Sequence, residues 1–314
     1  MALLNVGIIG TGVIGSYHID KCRKHPGVAI AGVYDSDSAR ATAAAQRFSV
    51  PAFGDLESLL DKTEAVIVAT PATTHADVVR ASLAAGRHVL VEKPLAADYN
   101  AGAALVALAE KRKRILHVGH SEAFNPAFIK LISLAPRPRF IEIHRLAAFS
   151  PRGTDVSVIL DLMVHDLHLV WRLCREEPLY EAIAATGVPV VSGDIDIANV
   201  RLSFPSGCVA NITASRISDK KMRKVRVFQK DNYYSVDLDK KEFAHYSLLP
   251  PGSSGPGGLP IAQTREVLSD VDALQAELEA FVAEIHGTTH EIPGTLGAEA
   301  LPVLKMTDAI LHRM

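Results

Sequence analysis

Cysteine is scarce: Cys22, Cys174 and Cys208 are the three in 314 residues, and they show neither a CxxC nor a zinc-finger spacing. That excludes a disulfide framework or a cysteine-built zinc module, and the three read as reduced thiols of a cytoplasmic protein. An excess of one charge is missing too. Lys+Arg 33 stand against Asp+Glu 35, a net charge of -2, so the chain carries no electrostatic signature of a nucleic-acid binder. There is no membrane-length apolar run. The opening "MALLNVGIIGTGVIGS" lacks a basic lead and is broken by glycines at loop-like spacing, so neither a signal peptide nor a membrane span is expected. No internal repeat is found. What is present is a 48% hydrophobic fraction, ample for a buried core in two domains.

The run "NVGIIGTGVIG" is strand-like and then carries Gly10-x-Gly12-x-x-Gly15 ahead of the helix-like "SYHIDKCRKH". The next apolar run, "VAIAGVYD", ends in Asp35. This is the dinucleotide-binding arrangement: one glycine for the tight turn, one for close approach of the pyrophosphate, one for helix-on-strand packing. Gly10, Thr11, Gly12, Val13, Ile14 and Gly15 are therefore expected to hold a pyrophosphate at a helix N-terminus. Asp35 can accept both ribose hydroxyls and repels a 2′-phosphate; with Ser36 and Arg40 beside it, it is expected to take NAD rather than NADP.

Strand and helix then alternate: "AVIVATP", "HADVVRASLAAG", "HVLVEKP", "DYNAGAALVALAEKRKR" and "ILHVGH". Buried strands alternating with helices predict a doubly wound parallel sheet, an α/β Rossmann domain over 1–122. Ligands bind beyond the carboxyl ends of such strands. Thr70, Pro71, His75, Glu92 and Lys93 fall there and are expected around the cofactor. Lys93 ends a buried strand and is followed by proline, which suits a cation held beside nicotinamide and substrate.

"SVILDLMVHDLHLVWRL" (157–173) is a long apolar helix with one polar stripe, Asp161, His165, His168 and Arg172, at i, i+4, i+7 and i+11. A solvated helix shows a broader polar face, so a mostly buried helix with one edge on a cleft is expected. The two histidines share a face, but spacing fixes no third ligand, and no metal is expected. After residue 123 come strand-like runs divided by turn signals such as Pro205-Ser206-Gly207 and Asp231-Asn232. They predict an α+β domain over 123–314 with a largely antiparallel open sheet and a last helix able to pack back on the first domain. The run 248–260, "LLPPGSSGPGGLP", is expected to be a mobile loop and a possible lid. The basic run Lys220, Lys221, Arg223, Lys224 and Arg226 reads as a solvated strand edge or as an attractor for a pyrophosphate.

"GIIGTGVIGSYH", "TPATTH", "AGRHVLVEKPLA" and "DLMVHDLHL" resemble the Gfo/Idh/MocA oxidoreductases over residues 5 to about 175. The resemblance implies that Lys93, Asp161 and His165 meet at the nicotinamide as the catalytic set, and that one sheet face forms a homo-oligomer interface, dimer or tetramer. "GHSEAFNPAF" with "RGTDVSVILDLMVHD" is most like the branch acting on a nucleotide sugar, oxidising the 3-hydroxyl of UDP-N-acetylglucosamine. The implied ketone feeds an aminotransferase in diamino-sugar lipid A synthesis. The alternative is a dehydrogenase of another sugar, inositol or a UDP-uronic acid. The substrate is expected near Lys93, Glu122, Asn125, Arg152, Asp155, Asp161 and His165, with the Arg152 guanidinium suited to a diphosphate.

Overall fold

The computed structural model describes residues 3–150, 156–269 and 271–314. The chain divides into two compact units, Met1–Ser121 with Asp272–Leu304, and Glu122–Val271 with Lys305–Met314.

In the first unit, β1 (Leu4–Ile9), β2 (Val28–Tyr34), β3 (Ala65–Val68), β4 (His88–Glu92) and β5 (Leu116–Gly119) form a parallel sheet in the order β2-β1-β3-β4-β5. Its helices are α1 (Val13–Lys24), α2 (Ser38–Phe48), α3 (Leu56–Leu60), α4 (His75–Ala84) and α5 (Tyr99–Arg112). Strand residues alternate between two cores. Val66, Val68, Val89 and Val91 meet Val79, Leu83, Leu105 and Ala109 of α4 and α5 on one face. Ala65, Ile67 and Leu90 point to the other. Strand order reverses at β1, which has β2 on one side and β3 on the other. Such a switch point opens a crevice at the carboxyl ends of its strands.

The second unit begins with α6 (Pro126–Leu134) and β6 (Phe140–Leu146), followed by a π turn (Ile159–Met163) that runs into α7 (Val164–Cys174). Then come β7 (Ala184–Val188), β8 (Ile197–Ser203), β9 (Val209–Ser215), β10 (Met222–Gln229), β11 (Asn232–Asp237), β12 (Glu242–Leu248) and β13 (Ile261–Val267). They make an eight-stranded sheet, β13-β12-β11-β10-β6-β9-β8-β7. Every pair is antiparallel except β6–β9. The run 248–260 is the tip of the β12–β13 hairpin, where Leu249 N donates to Pro260 O and Gly255 N to Leu259 O. Ile141 and Ile143 of β6, Val200 of β8, Ile212 of β9 and Val225 and Val227 of β10 are buried, and their strand neighbours are half-buried or exposed, as period-two side-chain alternation dictates.

The chain ends in α8 (Ala273–Ile285) and α9 (Gly297–Leu311). Leu278, Phe281 and Val282 of α8 join the core formed by Leu4, Val6, Ala65, Ile67 and Leu90. Ala300 and Leu304 of α9 join that of α4 and α5. No helix among the described residues is long and apolar enough to cross a membrane.

Candidate cofactor and catalytic residues

The glycine loop is shaped by contacts that tolerate no side chain. Gly10 has φ +91°, and a Cβ there would lie 2.5 Å from Ala69 O. At Gly15 a Cβ would meet Gly10 O at 1.9 Å. Gly12 caps α1 without a side-chain bond, and a Cβ on it would meet nothing within 4 Å. Space is therefore left where the helix presents its amides, an anion site by dipole and by donor supply. A groove of about 590 Å³ runs along it, lined by Thr11, Gly12, Val13, Ser16 and Tyr17 among others. Ile14, on the first turn, is half-buried. These features fit a dinucleotide, and nothing in them obstructs a pyrophosphate.

Asp35 follows β2. Its Oδ2 accepts from Thr11 N at 2.8 Å and Thr11 Oγ1 at 3.0 Å, and its Oδ1 from Asp37 N at 3.0 Å. Burial raises this carboxyl, but the donated bonds and Arg40 outweigh it and hold the group below the usual carboxylate range. Arg40 Nε lies 3.5 Å from Asp35 and 3.3 Å from Asp37. The guanidinium is thus engaged by two acids, and Ser36 is exposed beside them.

At the ends of β3 and β4, His75 is buried, with Nδ1 2.7 Å from Pro94 O and Nε2 3.0 Å from Thr70 O. Both nitrogens are spent on backbone, so the ring ties together the loops carrying Thr70-Pro71 and Lys93-Pro94. Burial pushes its pKa down, against the two carbonyls, which can both be satisfied only by a ring carrying a proton on each nitrogen. Glu92 Oε1 meets His18 Nε2 of α1 at 2.8 Å. Burial raises Glu92, but His18 and Lys93 outweigh it and hold it low. The Lys93–Pro94 peptide is cis. Nearby stands an acid that sequence reasoning missed. Glu277 of α8 is buried, neither carboxyl oxygen has a hydrogen-bond partner among the described residues, and burial with Glu92 close by raises it well above the glutamate range.

In the second unit the stripe helix is mostly buried, with Asp161 and His165 half-buried and His168 and Arg172 buried. Asp161 lies in the π turn and His165 in α7, so the expected single α-helical stripe changes helix type between them. Asp166, off the stripe and fully buried, was also missed. Its carboxylate takes Arg145 Nε at 2.9 and 3.0 Å and Nη2 at 2.8 Å. Arg145 Nη1 and Arg223 Nη1 each reach Glu122 Oε1 at 3.1 Å. Glu122 is thus part of an ion network that fixes α7 to the sheet. The signal lay in β6: Arg145 shares the buried face with Ile141 and Ile143, and a charge on the apolar face of an alternating strand calls for a buried partner. Asn125 caps α6, its Oδ1 accepting from Ala127 N and its Nδ2 donating to Leu238 O. Arg152 and Asp155 lie outside the described residues. Of the basic run, Arg223 and Arg226 pair with Glu122 and Glu142, and Lys221 with Asp239.

Over residues 4–120 the chain matches the Gfo/Idh/MocA oxidoreductase family with an NAD-binding Rossmann fold. It is 35% identical over 288 residues, 91% of this chain and 90% of the relative, to UDP-N-acetylglucosamine 3-dehydrogenase of Acidithiobacillus ferrooxidans. The chain belongs to the Gfo/Idh/MocA family. A solved structure of that dehydrogenase, GnnA, matches it with a TM-score of 0.92 at 33% identity, covering 100% of this chain and 98% of that one. Inositol 2-dehydrogenase 2 of Saccharopolyspora erythraea is 29% identical over 98% of this chain and 92% of the relative. This Gfo/Idh/MocA protein is accordingly an NAD-dependent oxidoreductase acting on a CH–OH group, built as the expected Rossmann domain and largely antiparallel α+β domain.

Proposed function

We propose that the chain oxidises the 3-hydroxyl of UDP-N-acetylglucosamine to a ketone. What carries this reading is its likeness, along nine-tenths of its length, to a dehydrogenase of that sugar nucleotide. The glycine loop and the α1 N-terminus hold the pyrophosphate of NAD, and Asp35 takes the ribose hydroxyls. Bound NAD supplies the hydride acceptor. His165 takes the proton of the sugar hydroxyl at a ring nitrogen. Lys93 stabilises the developing alkoxide and disfavours a second proton on His165. Asp161, one turn ahead, orients the base or holds a neighbouring hydroxyl. Thr70, Pro71 and Glu92, with His75 as the clasp behind them, shape the nicotinamide end. Glu122, Asn125, Arg152 and Asp155 are the remaining residues on the sugar-nucleotide side.

A ketone in place of a secondary alcohol is the substrate a transaminase requires, so the reaction suits a cytoplasmic step of diamino-sugar lipid A synthesis. A homo-oligomer is proposed through the half-buried face of the second sheet. There Phe140, Phe228, Tyr233 and Tyr246 form a row, with ring centroids 5.7, 4.5 and 5.0 Å apart from one to the next. Aromatic side chains are enriched at subunit contacts.

The test is incubation with NAD and a panel of UDP-sugars and free polyols, following NADH absorbance and nucleotide-sugar mass together. Loss of two hydrogens from UDP-N-acetylglucosamine is expected. Turnover of inositol alone would transfer the reading to the inositol 2-dehydrogenase branch, which the 29% identical relative favours. His165→Ala should lower kcat by about 10²–10⁴ while NAD binding persists; turnover near wild type would remove His165 as the base.

A further inference from the structure

Cys174 closes α7 and Cys208 immediately precedes β9, and within the second unit their sulfur atoms lie 4.0 Å apart, the Cys174 thiol donating to Cys208. The two differ in access. Cys208 is buried, whereas Cys174 is half-buried and stands on the wall of a cavity of about 580 Å³. Arg137, Arg139, Lys230, Ser206 and Gln229 line the same cavity; among the described residues no acid is in its wall, and the Glu176 carboxylate beside it accepts from Ser206 N at 3.3 Å. A thiol pair at the back of a cationic recess is suited to sulfur chemistry with an anionic reagent.

We propose that Cys174 and Cys208 form a reversible thiol–disulfide exchange site whose cavity admits small anionic disulfides of the oxidised-glutathione type. The pair reacts when it holds a single proton, Cys208 being the thiolate that accepts the Cys174 hydrogen bond: Cys174 attacks one sulfur of the disulfide RSSR as that proton passes to Cys208. The S–S bond breaks, a Cys174–SR bond forms and one RS⁻ leaves. Cys208 then gives its proton to solvent, attacks the Cys174 sulfur and expels the second RS⁻. Two electrons pass from the cysteines to RSSR, which departs as two thiols. The shared hydrogen bond lowers the Cys208 thiol, with help from Arg139 and against burial and Glu176, and raises Cys174, as burial and Glu176 also do; the shared proton therefore rests on Cys174 and has to pass to Cys208 as Cys174 attacks. Cys22, buried in the first unit and pushed up to about 12 by burial, is an internal control. The bond would join the end of the helix bearing His165 to the start of β9.

Intact protein exposed to oxidised glutathione should lose two hydrogens by mass, yield one linked peptide pair holding Cys174 and Cys208, leave Cys22 free and revert with dithiothreitol. This measurement needs no variant. Cys208→Ser should stop at a single glutathione adduct on Cys174, and Cys174→Ser should take none. Relative to each reagent's rate with free cysteine, oxidised glutathione should react about tenfold faster than cationic cystamine at low salt. That advantage should shrink as salt rises and vanish in Arg137→Ala/Arg139→Ala. Persistent free thiols, modification of Cys22, or an equal or faster reaction with cystamine would each overturn the proposal.

Discussion

Replacing Arg145 by methionine removes the partner of a carboxylate with no access to water. Asp166 is 0% exposed and Arg145 3%, and three contacts of 2.8–3.0 Å join them. Breaking a buried pair from one side costs about 3–5 kcal/mol. At roughly 2–4 °C per kcal/mol for a unit of this size, that is a fall in Tm of about 6–20 °C. The deficit should also depend on pH. Burial already raises the Asp166 carboxyl, with Arg145 opposing; without the guanidinium it rises further. An acid raised on folding binds a proton more tightly folded than unfolded, so its stability contribution is complete below the unfolded pKa and lost as pH rises towards the folded one. The variant should therefore be less impaired at pH 5.5 than at pH 8. Urea unfolding followed by fluorescence suits the question, because Trp171, the one tryptophan, lies on α7 itself. The double variant Arg145→Met/Asp166→Leu leaves no orphaned charge and should recover most of the loss. A single variant within about 1 kcal/mol of wild type at pH 8, or a double variant no better than the single, would refute a buried ion pair as the anchor of α7.

Asp35→Ala should weaken NAD and narrow the preference for NAD over NADP by about tenfold, or about 1.4 kcal/mol, in paired titrations; an unchanged ratio would deny Asp35 its ribose role. Gly15→Ala, which drives a Cβ to 1.9 Å from Gly10 O, should abolish NAD binding and cost about 1–3 kcal/mol of stability by overpacking, and a variant that still binds NAD normally would show the loop to be more yielding than its contacts imply. Glu277 is raised well above the glutamate range by burial, so as pH rises past the unfolded glutamate range wild-type stability should decline relative to Glu277→Gln, by up to about 1.4 kcal/mol per pH unit until the folded carboxyl ionises. Parallel curves for the two proteins would mean that Glu277 ionises as freely folded as unfolded.

The first unit was legible because its signals are local. A strand, three glycines, a helix and Asp35 lie within 35 residues, and each obeys its own short-range constraint. The second unit was read less completely. Its sheet was expected, but β12 and β13 were not: "EFAHYSL" has no β-branched residue, "IAQTREV" sets its three among polar and charged residues, and their pairing is fixed by neighbouring strands. The return of α8 to the first core depends on Leu278, Phe281 and Val282 meeting strands more than 180 residues earlier, a packing fact that no periodicity encodes. Of the candidate site, the residue types at strand ends were visible. Which of them spend their polar atoms holding loops was not. His75, Asn125 and Glu122 resemble ligand-binding groups in sequence, and in the structure their hydrogen bonds go to backbone or to arginine. Their partners are 2–113 residues away along the chain.

The change of helix type between Asp161 and His165 divides one continuous helix into two separately anchored pieces. Behind it, α7 is fixed through Asp166 to Arg145 on β6. Ahead of it, Val158 N donates to Ile195 O, and Arg216 binds both Val156 O and the Asp196 carboxylate. The anchors nearest Asp161 in sequence are thus those to the Asp196 loop, and the anchor nearest His165 is the one to β6. A substitution near residues 190–196 can shift the acid and leave the base where it is. With the roles proposed above for Asp161 and His165, such an arrangement would let the substrate side diverge by drift in one loop while the proton-transfer geometry is inherited unchanged.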